Sequence, residues 1–248
     1  METIADLLAD AREREGPAFD APGRTTPYSA GELATTVRKA GNLLSHYGVR
    51  EGVRVAVVVG PADPGPGDEP GHLVGTPQPL LGALGAMRLG ATVSLDPDRS
   101  VDATALVVPA SWRDRYEVDP GCAVLAYGDA PADPAVAHFE REVWSENPVA
   151  PPETVAPDAV ALDGPSGGTQ GSLLSRAATL AETHGMAGRR VAVRGRMDGA
   201  VFVAGVLAPL VAGGTIVGGP DGEGDRVVGA GGDVTARAFS DQPDTRRT

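Results

Sequence analysis

The sequence predicts an α/β protein made of two similar layered subdomains, each built from strand–helix–strand units around a parallel sheet. Three features predict this class. Continuous apolar runs, which suit strands buried on both faces, alternate with helical segments. The helices between these runs are rich in small residues, which favours close packing on a sheet. One strand–helix–strand pattern occurs twice, in residues 52–93 and again in residues 188–217.

The N-terminal segment predicts two helices and then a buried strand. Residues 3–15 repeat apolar side chains at helical spacing. Ser29 and Glu32 have the spacing of a capping box and mark the start of a second helix, which Gly48 ends as a left-handed C-terminal glycine would. Residues 54–59, Arg-Val-Ala-Val-Val-Val, then form a strand of the kind found inside parallel sheets.

The middle of the chain continues the alternation of helix and strand. Residues 60–79 are dense in Pro, Gly and Asp, which predicts an exposed and mobile loop. Residues 80–89 form a small-residue helix, and residues 90–95 form the strand that follows it. Two further short strands are predicted at residues 105–108 and 123–127.

The repeat sets the expected domain organisation. Arg-Val-Ala-Val occurs at residues 54–57 and 190–193, and each copy has a Gly-x-Thr before its last strand. Duplication accounts for these matches, and convergence on a common strand–helix–strand pattern is the alternative. We expect a first α/β subdomain in residues 1–150, a second in residues 151–220 and a disordered tail in residues 221–248, where apolar residues are scarce.

Composition limits the expected partners and location. Asp and Glu number 33 against 21 Lys and Arg, which gives a formal net charge of -12. This charge repels nucleic acids and anionic membranes, so neither is expected as a partner. An acidic, lysine-poor surface suits the salt-rich cytoplasm of a halophile, and GC-biased coding with ordinary acidic solubility is the alternative. Cys122 is the single cysteine, and the N-terminus has no signal-peptide pattern, so a cytoplasmic protein without disulfides is expected.

Residues 161–176 resemble a phosphate-binding loop without its lysine. Their sequence is Ala-Leu-Asp-Gly-Pro-Ser-Gly-Gly-Thr-Gln-Gly-Ser-Leu-Leu-Ser-Arg. It aligns without a gap to a signature of the AMP-forming adenylating enzymes (acyl-CoA synthetases, luciferases and peptide-synthetase adenylation domains). That signature is Tyr-Thr-Ser-Gly-Thr/Ser-Thr-Gly-x-Pro-Lys-Gly, then an apolar run and Ser-His. The candidate nucleotide-binding residues all lie in this loop: Gly164, Ser166, Gly167, Gly168, Thr169, Gln170 and Gly171.

Four shorter segments resemble the same family in the same order along the chain. They lie at residues 28–33, 43–57, 84–91 and 95–97. The resemblance implies an N-terminal portion of α/β subdomains with similar topology. It also implies a reaction in which a carboxylate attacks the α-phosphate of ATP and the acyl-adenylate passes to a thiol, often coenzyme A. In that reaction the glycine-rich loop holds the β- and γ-phosphates with backbone N–H groups.

Departures from the family pattern imply a truncated and degenerate member. Gln170 stands at the lysine position without a positive charge, Asp163 adds a negative charge, and Pro165 lacks a backbone donor. Arg176, at the histidine position, supplies a charge from another direction. Residues 177–248 show no counterpart of the family's Tyr-Gly-x-Thr-Glu segment, ribose-binding aspartate or C-terminal lid domain with its lysine. We therefore assign no catalytic residue and no metal ligand.

Other residues that could carry chemistry have simpler interpretations. Ser166 is not in a hydrolase nucleophile elbow, since the glycine that follows it is in the wrong place. Trp112 and Trp144 are assigned to core packing. The four histidines lack the spacing of a metal site: His46, His72, His138 and His184.

Three functional hypotheses follow from the sequence. The favoured one is a pseudoenzyme that weakly binds a nucleotide (ATP or AMP, with Mg²⁺), coenzyme A or an acyl ligand, or that acts on a full-length synthetase as its partner. The second is an active AMP-forming acid–thiol ligase that takes its missing groups from a partner chain. The third is an interaction scaffold without a small ligand. In the plainest interpretation, the glycine-rich loop is a turn that binds nothing.

Overall fold

The computed structural model describes residues 1–21, 25–149, 154–229 and 232–234. This part of the chain forms two main sheets with helices packed on them. The helices are α1 (Ile4–Arg12), α2 (Ala30–His46), α3 (Gln78–Arg88), α4 (Phe139–Ser145), α5 (Gln170–Thr183), α6 (Gly199–Phe202) and α7 (Ala208–Ala212). A π-helical turn, Val203–Leu207, joins α6 to α7, and a 3-10 helix spans Ala110–Arg115.

The strands follow the predicted alternation with helices. They are β1 (Pro17–Asp20), β2 (Tyr28–Ser29), β3 (Arg54–Val57), β4 (Thr92–Leu95), β5 (Ser100–Val101), β6 (Ala105–Pro109), β7 (Glu117–Val118), β8 (Ala123–Tyr127), β9 (Ala137–His138), β10 (Val160–Leu162), β11 (Gly168–Thr169), β12 (Arg190–Val193), β13 (Thr215–Gly218) and β14 (Arg226–Val228). The first sheet has the order β11-β10-β4-β3-β6-β8-β9, and the second has the order β14-β12-β13-β1-β2. Strand pairs within both sheets are parallel except in the hairpins β1–β2 and β10–β11, which confirms the predicted α/β class.

Local capping signals place the helix starts as predicted. Ser29 and Glu32 form the capping box of α2, in which the Glu32 N–H donates to Ser29 Oγ and the Ser29 N–H donates to the Glu32 carboxylate. Thr3 and Asp6 form an equivalent box at the start of α1. Gly48 follows α2 with a φ of 83°, a left-handed conformation that favours glycine.

The sequence repeat is also a structural repeat with the same strand register. β3 pairs with β4 so that Arg54 lies opposite Thr92, and β12 pairs with β13 so that Arg190 lies opposite Thr215. A strand, a short antiparallel strand and a long helix precede each copy, as β1–β2–α2 and as β10–β11–α5. The five-strand order β14-β12-β13-β1-β2 therefore matches β6-β3-β4-β10-β11 position by position. This equivalence favours duplication over convergence.

The two sheets do not divide the chain where the sequence suggested. β1 and β2 come from the first predicted subdomain but lie in the second sheet, where Phe19 pairs with Ile216. β10 and β11 come from the second predicted subdomain but lie in the first sheet, where Leu162 pairs with Val93. A boundary between residues 150 and 151 therefore separates each hairpin from its sheet. Residue patterns along the chain predict strands, but they do not show which distant strand each one pairs with.

Two further expectations need correction. In the predicted loop at residues 60–79, residues 65–69 are exposed, but Leu73 and Thr76 are buried and α3 begins at Gln78. The predicted disordered tail, residues 221–248, includes β14, which pairs in parallel with β12 and buries Val228. The residues of that tail at 230–231 and 235–248 lie outside the described residues.

The apolar core joins both sheets and the helices between them, and a smaller cluster covers part of the first sheet. Trp112 is in the smaller cluster and is only 2% exposed, as core packing predicts. Trp144 is 84% exposed, so the assignment of this residue to the core is wrong. The described residues form these sheets and no lid domain beside them.

Candidate functional site

The glycine-rich loop is a short hairpin connection whose backbone donors are used internally. It spans residues 163–167, between β10 and β11. The Gly164 N–H donates to Asp163 Oδ1 at 2.7 Å, and the Gly167 N–H donates to Gly164 O at 2.9 Å. Gly164 has a φ of 90°. A nest for phosphate needs several N–H groups that point outward together, and this turn directs two of its N–H groups to its own oxygens.

The tight turn explains why glycine is required at its end. A Cβ atom at Gly167 would collide with Leu162 O and would lie 2.9 Å from Asp163 C. Pro165, inside the turn, has no N–H to offer. The glycines that resemble a phosphate loop are therefore accounted for by the geometry of the hairpin itself.

The second half of the predicted nucleotide site belongs to a strand and a helix. Gly168 and Thr169 form β11, and Thr169 caps α5 by accepting a hydrogen bond from the Ser172 N–H at 3.3 Å. Gly171 lies in the first turn of α5, where its N–H donates to Pro157 O. Of the seven predicted residues, the structure leaves Gly164, Ser166 and Gly167 in the loop and places the other four in these elements.

The Gln170 side chain lies in the core. It is fully buried, at 0% exposure. The side-chain oxygen Oε1 accepts a hydrogen bond from the Ile4 N–H at 2.8 Å, and Nε2 donates to Met87 O at 2.5 Å. The side chain thus joins the start of α1 to the end of α3. Both ends of the amide are therefore already occupied inside the core.

The charges around the loop do not favour an anion. Arg176 donates to Ser166 O at 3.0 Å, and its burial lowers the pKa of the guanidinium. Two carboxylates oppose this single cation. Asp163 is in the loop, and Asp198 caps α6, whose first residue, Gly199, packs against Ser166. Arg176 therefore stabilises the loop by donating to its backbone. The carboxylates of Asp163 and Asp198 outnumber this guanidinium beside the loop.

A cavity of about 300 Å³ lies at the carboxyl ends of β12 and β13 in the second sheet. Ligands of open α/β sheets bind at this edge of the strands. Arg194 follows β12 directly and donates to Gly222 O at 2.8 Å. The opposite wall comes from residues 61–74, including Asp68, Glu69 and His72. We call this cavity the second-sheet crevice.

The corresponding edge of the first sheet is filled by side chains. The Trp112 ring packs on Gly60 so closely that a Cβ atom there would collide with it. The Tyr127 hydroxyl lies 2.9 Å from Val58 O and 3.2 Å from Gly60 O, and Tyr127 is fully buried. Trp112 and Tyr127 thus fill the space after β3, whereas the cavity lies at the equivalent position after β12.

Sequence reasoning missed the residues of the second-sheet crevice. Arg194 comes directly after the repeated Arg-Val-Ala-Val strand, and this position at the carboxyl end of a buried strand was the available signal. His72 lies in the Pro- and Gly-rich loop, for which the sequence predicted only exposure. In the described ranges, no group of three or more His, Cys, Asp or Glu side chains could hold a metal ion. No helix there is long and apolar enough to cross a membrane.

Comparison with known proteins finds similarity in structure and not in sequence. No family model matches the chain, and no curated protein matches it. Among solved structures, the anthranilate CoA ligase AuaEII in complex with anthranoyl-AMP superposes with a TM-score of 0.65 at 14% identity, over 88% of this chain and 44% of that chain. A long-chain-fatty-acid-CoA ligase from Archaeoglobus fulgidus superposes with a TM-score of 0.64 at 19% identity, over 87% of this chain and 47% of that chain.

The N-terminal domain of FACL13 from Mycobacterium tuberculosis is similar as well. It superposes with a TM-score of 0.61 at 15% identity, over 89% of this chain and 57% of that chain. The chain thus spans about half the length of the solved structures that it matches. The chain has the fold of the N-terminal part of AMP-forming CoA ligases, which confirms the predicted resemblance at the level of the fold.

Proposed function

We propose that this chain is a non-adenylating relative of the AMP-forming ligases, a pseudoenzyme that binds a nucleotide or acyl ligand weakly in the second-sheet crevice. The burial of Gln170 carries the proposal. The position that aligns with the family's lysine is sealed in the core and holds two helices together. A charge cannot be supplied from that position without disrupting the packing around it.

The loop supports the same conclusion through its hydrogen bonds and its charge. Departure of pyrophosphate requires cations and oriented donors at the β- and γ-phosphates. The turn at residues 163–167 instead satisfies two N–H groups internally and has two carboxylates nearby against one partly buried guanidinium. The chemistry that would hold triphosphate is therefore missing at the site that the fold provides for it.

The second-sheet crevice supports retained ligand binding. It is open where the equivalent edge of the first sheet is filled by Trp112 and Tyr127. Arg194 offers guanidinium donors at its rim, and His72 offers a second polar group. Asp68 and Glu69 line the same crevice and oppose an anion, so a phosphate or carboxylate of a small ligand is expected to bind Arg194 and His72 only weakly.

The test compares AMP with ATP–Mg²⁺ by thermal shift in molar KCl, with coenzyme A and a simple acyl-CoA as further ligands. A ligand that binds the folded state raises the melting temperature once its concentration exceeds the dissociation constant. We expect equal shifts with AMP and ATP, because the β- and γ-phosphates find no donors in the loop. Arg194→Gln should abolish the shift. Arg189→Gln, which removes the same charge just before β12 begins, should leave it unchanged.

Each remaining outcome favours a different hypothesis. A much larger shift with ATP than with AMP, or ATP-dependent pyrophosphate exchange, would refute the proposal and support an active ligase. Exchange that requires added full-length synthetase would support the hypothesis of a partner chain. No shift with any of the four ligands would refute ligand binding and leave an interaction scaffold.

A further inference from the structure

A groove of about 510 Å³ lies between α2, the first turn of α3 and α4. Its lining shares no residue with the second-sheet crevice or with the loop at residues 163–167. Its size is in the range of pockets that enclose small molecules. The proposed function does not use this groove.

Aromatic side chains are concentrated in this groove. The whole chain has two Trp, four Tyr and four Phe residues. Tyr28, Phe139 and Trp144 line the groove, together with the aliphatic Leu81 and Val143. Trp144 leaves 84% of its surface exposed, whereas Trp112 is buried. A large exposed ring beside an apolar groove is typical of a surface that binds another molecule.

The polar groups of the groove that lack partners are acceptors. Glu140 Oε1 accepts a hydrogen bond from the Gly128 N–H at 2.9 Å. Its second oxygen, Oε2, is buried and receives no hydrogen bond from the described residues, and the same is true of Gln78 Oε1. The His138 ring nitrogen is 3.4 Å from Glu140 Oε2 but hydrogen-bonds to Gly128 O at 3.1 Å. A buried acceptor without a donor is costly, so an occupant that brings N–H groups would be stabilised here.

The chain's own ammonium group already lies at this surface. Lys39 is the single lysine of the sequence, and it lines the groove. Its Nζ donates to Trp144 O at 3.1 Å and lies 5.8 Å from the centre of the Trp144 ring. A carbonyl oxygen and the face of an indole both attract a cation. Lys39 thus shows, within the molecule, which kind of group this edge of the groove attracts.

We infer that the groove binds an organic cation, namely a primary ammonium group on a flat apolar body. The apolar body packs against Leu81, Phe139 and Val143. The ammonium group donates to the Glu140 carboxylate and to Gln78 Oε1, whose side chains line the groove. The net charge of -12 attracts cations to the surface and repels anions of the same shape.

The test uses two probes of matched shape, phenethylammonium and 3-phenylpropionate, on the whole chain with ¹⁵N-labelled tryptophan. The two indole N–H signals report separately on Trp144, at the groove, and on the buried Trp112. Phenethylammonium is expected to shift the Trp144 signal saturably and to leave the Trp112 signal in place. The carboxylate probe should shift neither.

Three variants test which groups bind the ammonium. Glu140→Gln keeps an acceptor for the Gly128 N–H but removes the charge, and it should weaken binding about tenfold, the effect of one charge-assisted hydrogen bond. Glu142→Gln removes the same charge from the same helix, outside the groove, and should leave affinity unchanged. Lys39→Met removes the competing cation and should strengthen binding about twofold to threefold.

The direction of each change in affinity for phenethylammonium tests the inference. Preference for 3-phenylpropionate would overturn it in favour of an anion site on Lys39, and weaker amine binding in Lys39→Met would overturn it because Lys39 would then not compete with the ligand. Absence of a Trp144 shift up to tens of millimolar amine would overturn it outright. The Trp112 signal, which reports an intact core, separates loss of binding from loss of folding in every variant.

Discussion

Replacement of Gln170 by lysine tests most directly how the loop is built. If the loop were a dormant phosphate site, Gln170→Lys would raise its affinity for ATP, whereas an eroded site would not respond. The structure predicts that affinity does not rise and that the fold is destabilised. Gln170 is fully buried, and its amide bridges the Ile4 N–H, 166 residues away, and Met87 O, 83 residues away.

The size of the effect follows from these two contacts. Lysine has no acceptor for the Ile4 N–H, so a buried donor loses its partner, which costs about 1–3 kcal/mol. Met87 O keeps a second donor, the Gly90 N–H at 2.9 Å, so its loss is smaller. A buried ammonium without a carboxylate adds a penalty of about 3–5 kcal/mol unless it is neutralised. Together these costs are a large fraction of a typical folding free energy of about 5–15 kcal/mol.

Urea denaturation measures the free energy of unfolding, and thermal shift with ATP–Mg²⁺ measures nucleotide affinity. Gln170→Met separates the loss of the hydrogen bonds from the cost of a buried charge. It removes the hydrogen bonds without adding a charge and should lower the free energy of unfolding by only about 1–3 kcal/mol. Ser175→Lys adds the same charge at an exposed site of α5 and should stay within about 0.5 kcal/mol of the original chain. A Gln170→Lys variant with unchanged stability and higher affinity for ATP would refute the reasoning, because it would show that position 170 reaches the loop.

Two further predictions follow from local geometry. Gly167→Ala should destabilise the fold by about 1–3 kcal/mol, because its Cβ collides with Leu162 O. Gly171→Ala, in the first turn of α5, should stabilise the fold by up to about 1 kcal/mol. Equal losses of unfolding free energy in urea denaturation would mean that both glycines serve one loop. Burial and the hydrogen bond to Glu142 raise the pKa of Tyr47 to about 12 from an ordinary 10.0. The contribution of Tyr47 to stability should therefore be constant below pH 10 and fall between pH 10 and 12, as the unfolded chain loses this proton first. Because burial also raises the pKa of Tyr116 and of Tyr127, Tyr47→Phe should reduce the tyrosinate absorbance change near pH 12 without abolishing it, and a Tyr47 transition near pH 10 would contradict the assignment.

Much of the secondary structure could be predicted because its causes are local. The Ser29–Glu32 capping box needs only four consecutive residues, and it places the start of α2 correctly. The buried strands at Arg54–Val57 and Arg190–Val193 follow from continuous apolar runs, and their equivalence follows from the repeated sequence. The register that places Thr92 and Thr215 in equivalent positions is a consequence of that repeat.

The candidate site is harder to predict than the strands, because one short sequence suits two structures. Gly-Gly-Thr-Gln-Gly at residues 167–171 resembles part of a phosphate loop, but it also suits a hairpin strand followed by a capped helix. The local signal for the capped helix was Thr169, a residue type that caps helices, and its side chain accepts a hydrogen bond from the Ser172 N–H. The ungapped alignment gave Thr169 the role of a proline and so concealed that signal.

By itself, the sequence determined the α/β class, the repeated units, the start of α2 and the net negative charge, because these depend on composition and on neighbours within a few residues. The tertiary structure alone decided that each hairpin joins the other unit's sheet, that Gln170 is a buried link and that Trp144 is exposed beside a groove. These features rest on contacts between residues as much as 166 positions apart. A side chain's surroundings at that separation depend on how whole elements pack, and local patterns carry no record of that packing.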